Sequence, residues 1–378
     1  MSRLVDRITD AGPKRLLAID GGGIRGILAL EILAEIERLL AKGRPEFRLS
    51  HYFDYIGGTS TGGIIAAGLA RGMSVAEIVE FYETAGARMF ERASLLERLH
   101  YKFKDEPLAR KLKDVFGART PLGSTSLGSL LLLVLRNATT DSPWPISSNP
   151  FAKYNDRARP DCNLDLPLWQ LVRASTAAPT YFPPEVIEVG ERQWVFVDGG
   201  VTMYNNPAFQ LFLMATLDRY WPLAPEGRRG WATGTDRMLL VSVGTGTSSG
   251  ARSGLDPDEM NLLFNASSIP GALMYAALNE QDLLCRVFGD CLAGDPIDRE
   301  IGDLIGSSGP LPRSGKLFTY LRYNAELSAE GLAKLGCGHI APDSVRRLDA
   351  VDAIPALQEV GRAAARVVLP EHFVHFPA

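Results

Sequence analysis

Three short stretches of this chain combine residue types that do chemistry. Gly58-Thr59-Ser60-Thr61-Gly62 fits G-x-S-x-G, in which the glycines let a strand turn sharply into a helix and lift the serine hydroxyl clear of the backbone. Such a serine is a nucleophile, and it needs a base and a set of donors for the charge that develops on an attacked carbonyl. A second match, Gly246-Thr247-Ser248-Ser249-Gly250, runs into Ala251-Arg252-Ser253-Gly254-Leu255-Asp256-Pro257. That stretch does not readily open a helix, so Ser248 reads as a loop serine.

Asp198 is the candidate base. It opens Asp198-Gly199-Gly200 at the end of an apolar run, residues 193–197. In an open parallel sheet the strand ends converge on the ligand crevice, which would set Asp198 beside Ser60. A free aspartate is a poor base near neutrality, so the site must be dry enough to raise its pKa. An ordinary Asp-Gly turn is the competing reading. Histidine is the usual partner of serine, but nothing recommends His51, His100, His339, His372 or His375. None of the five has a strand-end setting with access to Ser60.

The third stretch is Gly21-Gly22-Gly23-Ile24-Arg25-Gly26. Its letters satisfy G-x-G-x-x-G between a strand and a helix, so a dinucleotide site has to be weighed. No acidic residue closes a neat second strand about twenty positions on, and no Gly-Lys-Ser/Thr completes a P-loop. An oxyanion hole fits as well: glycine N–H groups at a helix start concentrate positive potential, and Arg25 adds to it. A tight strand-to-helix turn is the structural alternative.

The surrounding elements must hold these stretches together. Residues 15–20 are an apolar run suited to a buried strand. After the glycines, Ala29, Ile32, Leu33, Ile36, Leu39 and Leu40 recur at helical spacing opposite Glu31, Glu35, Arg38 and Lys42. Gly43 and Pro45 predict its end. Residues 52–56 predict a second strand, 57–63 a tight turn and 64–70 a small-residue helix, with Ser74-Val75-Ala76-Glu77 as a capping box for the next. Residues 130–135, 193–197 and 238–243 predict further strands, and Asn206-Pro207 a helix cap with proline in the first turn. Residues 141–163, 221–236 and 302–315 read as loops. Strands alternating with helices indicate a mainly parallel sheet covered on both faces. We expect one large domain over 15–342, an N-terminal extension over 1–14, and a C-terminal helical segment over 343–378 packed on the same domain.

The 378 residues are 46% hydrophobic and 22% charged with a formal charge of −4, which excludes a disordered chain and a basic nucleic-acid coat. Cys162, Cys285, Cys291 and Cys337 form no CxxC pair and read as reduced thiols. No secretory leader or membrane-spanning run is recognised, and a cytoplasmic protein is expected. Met89-Phe90, Leu95-Leu96, Trp144 and Leu262-Leu263-Phe264 are candidates for an apolar mouth or lid, with core packing as the alternative.

Taken jointly, Asp20-Gly21-Gly22-Gly23-Ile24-Arg25-Gly26, Gly58-Thr59-Ser60-Thr61-Gly62 and Asp198-Gly199-Gly200 resemble the patatin-like phospholipase family. The likeness continues through Ala174-Ser175-Thr176-Ala177-Ala178-Pro179-Thr180-Tyr181-Phe182-Pro183-Pro184 and Leu239–Thr247, ending near Tyr320-Leu321-Arg322-Tyr323. It implies a three-layer α/β sandwich and a Ser-Asp dyad, Ser60 as nucleophile and Asp198 as acid and base. It further implies an oxyanion hole at Gly22, Gly23 and Arg25, supported by Gly21, Gly26, Gly58, Gly62, Gly199 and Gly200. Acyl esters of phospholipids or galactolipids would be hydrolysed through an acyl-enzyme with no cofactor, no metal and no calcium. The partners implied are the lipid, a transiently touched membrane surface and no nucleic acid; some relatives answer to a small nucleotide activator. Pro179, Tyr181, Phe182 and Pro183 are expected in the crevice wall, and Asn205 and Asn206 beside the Asp198 loop. A nucleotide-binding regulatory module and a storage protein with a dormant site are the readings from other classes.

Overall fold

The computed structural model describes residues 2–89, 106–247, 262–307 and 309–378. Among them nine strands form one sheet: β1 (Lys14–Ile19), β2 (Tyr55–Thr59), β3 (Leu130–Asn137), β4 (Ser142–Ser147), β5 (Glu185–Val189), β6 (Arg192–Asp198), β7 (Met238–Val243), β8 (Asp290–Ala293) and β9 (Thr319–Tyr323). Their order is β5-β6-β3-β2-β1-β7-β9-β8, with β4 on β3. The central pairs β3–β2, β2–β1, β1–β7, β7–β9 and β9–β8 are parallel, while β4 and the β5–β6 hairpin run antiparallel.

Alternate residues of the central strands feed two cores. Leu17, Ile19, Ile56, Leu131, Leu133 and Val241 face one core; Leu16, Ala18, Tyr55, Leu130, Leu132 and Leu240 face the other. Burial on both sides explains why these strands read as continuous apolar runs. The first face is covered by α2 (Gly26–Ala41), α4 (Thr61–Ala70), α5 (Val75–Met89), α6 (Glu106–Phe116), α7 (Leu168–Ser175) and α12 (Ile354–Ala364). The other is covered by α1 (Ser2–Thr9), α8 (Ala208–Thr216) and α9 (Leu262–Phe288), with Trp221 and Trp231 between them. Short helices α3 (Leu49–Tyr52), α10 (Ala329–Lys334) and α11 (Pro342–Arg346) complete the set. The arrangement is a three-layer α/β sandwich. No helix among the described residues is long and apolar enough to cross a membrane.

Four local expectations need correction. Tyr52 ends the helical turn α3, and β2 begins at Tyr55 and continues through Gly57, Gly58 and Thr59, so the turn is confined to Ser60. The glycines sit inside the strand because their neighbours press close: Gly57 lies against Leu132 and Leu211. The loop expected over 141–163 contains β4, whose Pro143 and Pro145 are tolerated because it pairs only with β3 and is an edge. Pro207 stands at the cap of α8 rather than in its first turn, with the Asn206 Oδ1 accepting the Ala208 N–H at 3.0 Å. Lastly, β6 is antiparallel to β3, so Asp198 does not reach the crevice as the end of a parallel strand. The box before α5 forms as read: Ser74 Oγ accepts the Glu77 N–H at 3.2 Å and the Glu77 carboxylate accepts the Ser74 N–H at 2.7 Å.

Candidate active site

Ser60 is the hinge between β2 and α4, with φ 55° and ψ −123°. A non-glycine residue in that region is strained and persists only where its surroundings hold it. Gly62 is one reason it persists. A Cβ there would run into the carbonyl oxygens of Ile19 and Asp20, and one at Gly58 would strike the backbone of Gly62 and Gly63. The Ser60 N–H is held by the Ser175 Oγ at 3.0 Å, which in turn donates to the Val134 carbonyl at 2.7 Å. The end of α7 thereby ties the elbow to β3.

Sheet register brings the carboxylate to the hydroxyl. β2 pairs with β3 as far as Thr59 opposite Val134; β6 pairs with β3 from the other direction as far as Asp198 opposite Leu135. Because β4 occupies the opposite edge of β3 across both stretches, β2 and β6 share one edge and end against each other. Ser60 Oγ donates to Asp198 Oδ2 at 2.6 Å, and Oδ1 accepts the Gly200 N–H at 2.6 Å. Asp198 is 4% exposed. Burial pushes its carboxyl up to about 6, against the hydrogen bonds from Ser60 and Gly200 and the attraction of Arg173, which pull it down. It is therefore largely ionised at neutral pH, and basic enough to take a proton.

The glycine run lies beside this pair. Gly21 donates to the Asn205 carbonyl at 3.0 Å, and the Thr245 hydroxyl donates to the Gly21 carbonyl at 2.7 Å. A Cβ on Gly22 would collide with Thr245. No partner among the described residues takes the N–H of Gly22 or Gly23. At the end of β1, Asp20 receives a two-pronged bond from buried Arg322, at 3.0 and 2.6 Å, and Arg322 also reaches Ser242 at 2.7 Å. Half-buried Arg25 stays cationic although burial lowers its pKa to about 10. The dinucleotide alternative meets an obstacle here: the Ile24 N–H is bonded to the Leu348 carbonyl at 2.9 Å, and Leu348 covers Gly23. A pyrophosphate would need that helix start open.

A cavity of about 710 Å³ opens over the pair, with Gly21, Gly22, Gly23, Arg25 and Gly200 in its walls beside Ser60 and Asp198. The remaining predicted glycines stand behind it: Gly26 against Thr61 and Tyr82, Gly58 and Gly62 within the elbow, Gly199 against Val134. Pro179, Tyr181, Phe182 and Asn205 line the cavity, whereas Pro183 gives its carbonyl to Arg173 at 3.0 Å. Four histidines lie elsewhere. His51 accepts the Arg48 N–H, His339 pairs with Glu359 at 3.1 Å, His372 meets the Tyr323 hydroxyl, and His375 is not in the cavity wall. His100 and Ser248 lie outside the described residues. Phe90, Leu95 and Leu96 also do, as do the side chains of Met89, Leu262, Leu263 and Phe264. Trp144 is not at a mouth; it packs on Trp194 and Phe196, with ring centroids 5.7 and 5.0 Å away. All four cysteines are free and buried.

Residues that motif reading passed over include Ser175, Thr245 and Arg322, which hold the elbow and the glycine loop from distant parts of the chain. All three lie in stretches that carry the family likeness, the one signal that marked them.

The family model for patatin-like phospholipases matches residues 17–212, just over half of the chain. Patatin-17 of Solanum cardiophyllum is 33% identical over 251 residues, covering 62% of this chain and 61% of that protein. A protein of Escherichia coli (strain TW11681) named cGAMP-activated phospholipase is 33% identical over 204 residues, 52% of this chain and 54% of its own. An intracellular phospholipase A2 of Caenorhabditis elegans is 32% identical over 234 residues, 61% of this chain and 19% of its own. The matches thus span 61% or less of each relative's length.

Proposed function

The chain belongs to the patatin-like phospholipase family, and from that premise we propose that it hydrolyses fatty acyl esters of membrane lipids at Ser60. The observation that carries the reading is the 2.6 Å hydrogen bond from the Ser60 hydroxyl to a desolvated Asp198 carboxylate beside two glycine N–H groups that have no partner among the described residues.

In this mechanism Ser60 Oγ attacks the ester carbonyl as its proton passes to Asp198 Oδ2. The oxyanion of the tetrahedral intermediate is met by the N–H groups of Gly22 and Gly23 in the field of Arg25. Asp198 returns the proton to the departing alcohol, leaving an acyl group on Ser60. Water then enters, gives its proton to Asp198 and releases the fatty acid, and the serine recovers its hydrogen. Each oxyanion donor is worth roughly 10²–10³ in rate and the base roughly 10²–10⁴. None of these steps draws on a calcium ion, so chelation by EDTA should leave the rate unchanged.

We read the enzyme as cytoplasmic and, because its substrate is water-insoluble, as making transient contact at the bilayer. Val201, Met203, Ile269 and Leu273 support this: they are large apolar residues between 40% and 66% exposed. Val201 and the α9 residues Gly271 and Met274 line the cavity itself. An exposed apolar rim continuous with a lipid cavity is suited to an acyl-chain surface.

The test is fatty acid release from mixed phospholipid and galactolipid vesicles, resolved by mass spectrometry, with Ser60→Ala as control. Release by the wild type and none by Ser60→Ala is expected; equal release by both would overturn the reading. In a second reading the same hydrolase is under nucleotide control, as the name of the Escherichia coli relative suggests for that protein. Release stimulated by added cGAMP would establish it, and unchanged release would remove it.

A further inference from the structure

The cavity over Ser60 has a cationic side that the reaction scheme leaves partly unused. Its only carboxylate among the described residues is Asp198, which is committed to Ser60 and Gly200, whereas two guanidinium groups, Arg25 and Arg346, belong to its walls. Arg346 is the last residue of α11, in the C-terminal segment beyond the 17–212 that match the family model. Two residues on, the Leu348 carbonyl takes the Ile24 N–H at 2.9 Å, so this segment is stitched to the glycine loop next to Arg25.

Neither guanidinium is held in a close ion pair among the described residues; buried Asp20, which attracts Arg25, is itself gripped by both prongs of Arg322. Arg346 Nε donates to the Leu327 carbonyl at 3.1 Å, which orients the group. Its Nη1 is 3.8 Å from Asp343, a carboxylate 99% exposed and too distant and too solvated to cancel the charge. Arg25 Nε has only a long contact, 3.4 Å, to the Gly22 carbonyl, and no ion pair of Arg25 is found among the described residues. Two positive charges against one committed carboxylate among the described wall residues give this side of the cavity a chemistry suited to an anion. A fatty acyl carboxylate is the product, not the substrate. The acyl lipids differ in one respect that matters here: a phospholipid carries a phosphodiester near its ester bonds, and a galactolipid carries no charge there. Guanidinium is the side chain best matched to phosphate oxygens, which it binds in pairs.

We propose that Arg346, delivered by the C-terminal segment, joins Arg25 in a subsite for the phosphodiester of the substrate, so that the enzyme selects phospholipid over galactolipid. This rests on the hydrolase reading above and names its substrate class.

The experiment compares kcat/KM for dioleoyl phosphatidylglycerol and dioleoyl digalactosyldiacylglycerol in the same non-ionic micelles. The wild type, Arg346→Gln and Arg346→Lys are each used at active-site concentrations titrated with a fluorophosphonate. The readout is the ratio of the two constants, from which any loss of folded enzyme cancels. The wild-type ratio is expected to exceed one and to fall roughly 10- to 100-fold in Arg346→Gln, as for loss of a hydrogen bond to a charged group. Arg346→Lys should recover part of it. A ratio that Arg346→Gln leaves unchanged, or a wild type that prefers the galactolipid, overturns the inference while the hydrolase reading stands. A wild type that cleaves neither lipid nor p-nitrophenyl butyrate overturns both. Inorganic phosphate separates the two sources of the anion. If it raises the melting temperature of Ser60→Ala through Arg346 while the lipid ratio does not move, the site takes a free anion and the lipid assignment is wrong.

Discussion

Replacing Asp198 by Asn keeps the size of the side chain and its reach to Ser60 and Gly200, but removes both the base and the buried charge. The two losses act in opposite directions. Without a proton acceptor, kcat/KM on p-nitrophenyl butyrate should fall by roughly 10²–10⁴. The stability effect follows from the carboxyl, which burial raises from the ordinary 3.8 to about 6. In the unfolded chain it ionises near the lower value and in the native protein near the higher one. Between them the native state binds more protons, so wild-type stability declines as pH rises through that window. At about 1.4 kcal/mol per tenfold, the gap from 3.8 to about 6 amounts to about 3 kcal/mol, fully in force at about pH 8. The neutral amide escapes this cost. Asp198→Asn should therefore melt higher than wild type at about pH 8, on the order of 5 °C for a chain of this size, with the difference shrinking toward about pH 4. Melting curves across that range, paired with ester kinetics, make the check. A variant that melts below wild type at the alkaline end, or keeps more than about a tenth of the activity expected of an intact base, refutes the reasoning.

Gly22→Ala should press a methyl group against Thr245 and turn the Gly22 N–H from the oxyanion position. A kcat lower by roughly 10²–10³ with little change in KM is expected on p-nitrophenyl butyrate. The paired change Ile269→Asp and Leu273→Asp should sharply reduce sedimentation with phospholipid vesicles and turnover of vesicle lipid. Hydrolysis of the soluble ester by that variant should stay within about twofold of wild type, because the two exposed side chains are absent from the cavity wall.

Much of the site was legible where the signal is local. Strand, glycines, Ser60 and the apolar small-residue helix follow one another over residues 55–70, and the elbow needs nothing from elsewhere to be recognised. The same holds for the glycine run between β1 and α2. Asp198 was a different matter. Its placement depends on β6 running antiparallel along the edge of β3 that β2 vacates at Thr59, a register set by pairings far apart in sequence. Reading it as the end of a parallel strand reached the right neighbour by the wrong geometry. Pro143 and Pro145 hid β4, because proline argues against a strand except at an edge, and edges are not marked in sequence. Ser175 and Thr245 hold the site, and Arg346 reaches its wall, from positions whose local sequence is that of any helix end or loop. The match at Ser248 and the apolar stretches near 89–96 and 262–264 concern residues or side chains outside those described.

Ser60 meets Asp198 directly, with no imidazole between them, and its activation as a nucleophile depends on that contact. The rate at which a fluorophosphonate modifies the protein, followed by peptide mass against pH, measures that activation directly. The label should fall on Ser60, its rate should rise through a single ionisation near pH 6 to a plateau, and Asp198→Asn should abolish the rise. His100→Gln should follow the wild-type curve. A label on another residue, a rate independent of pH, or a rise lost in His100→Gln but kept in Asp198→Asn would contradict it.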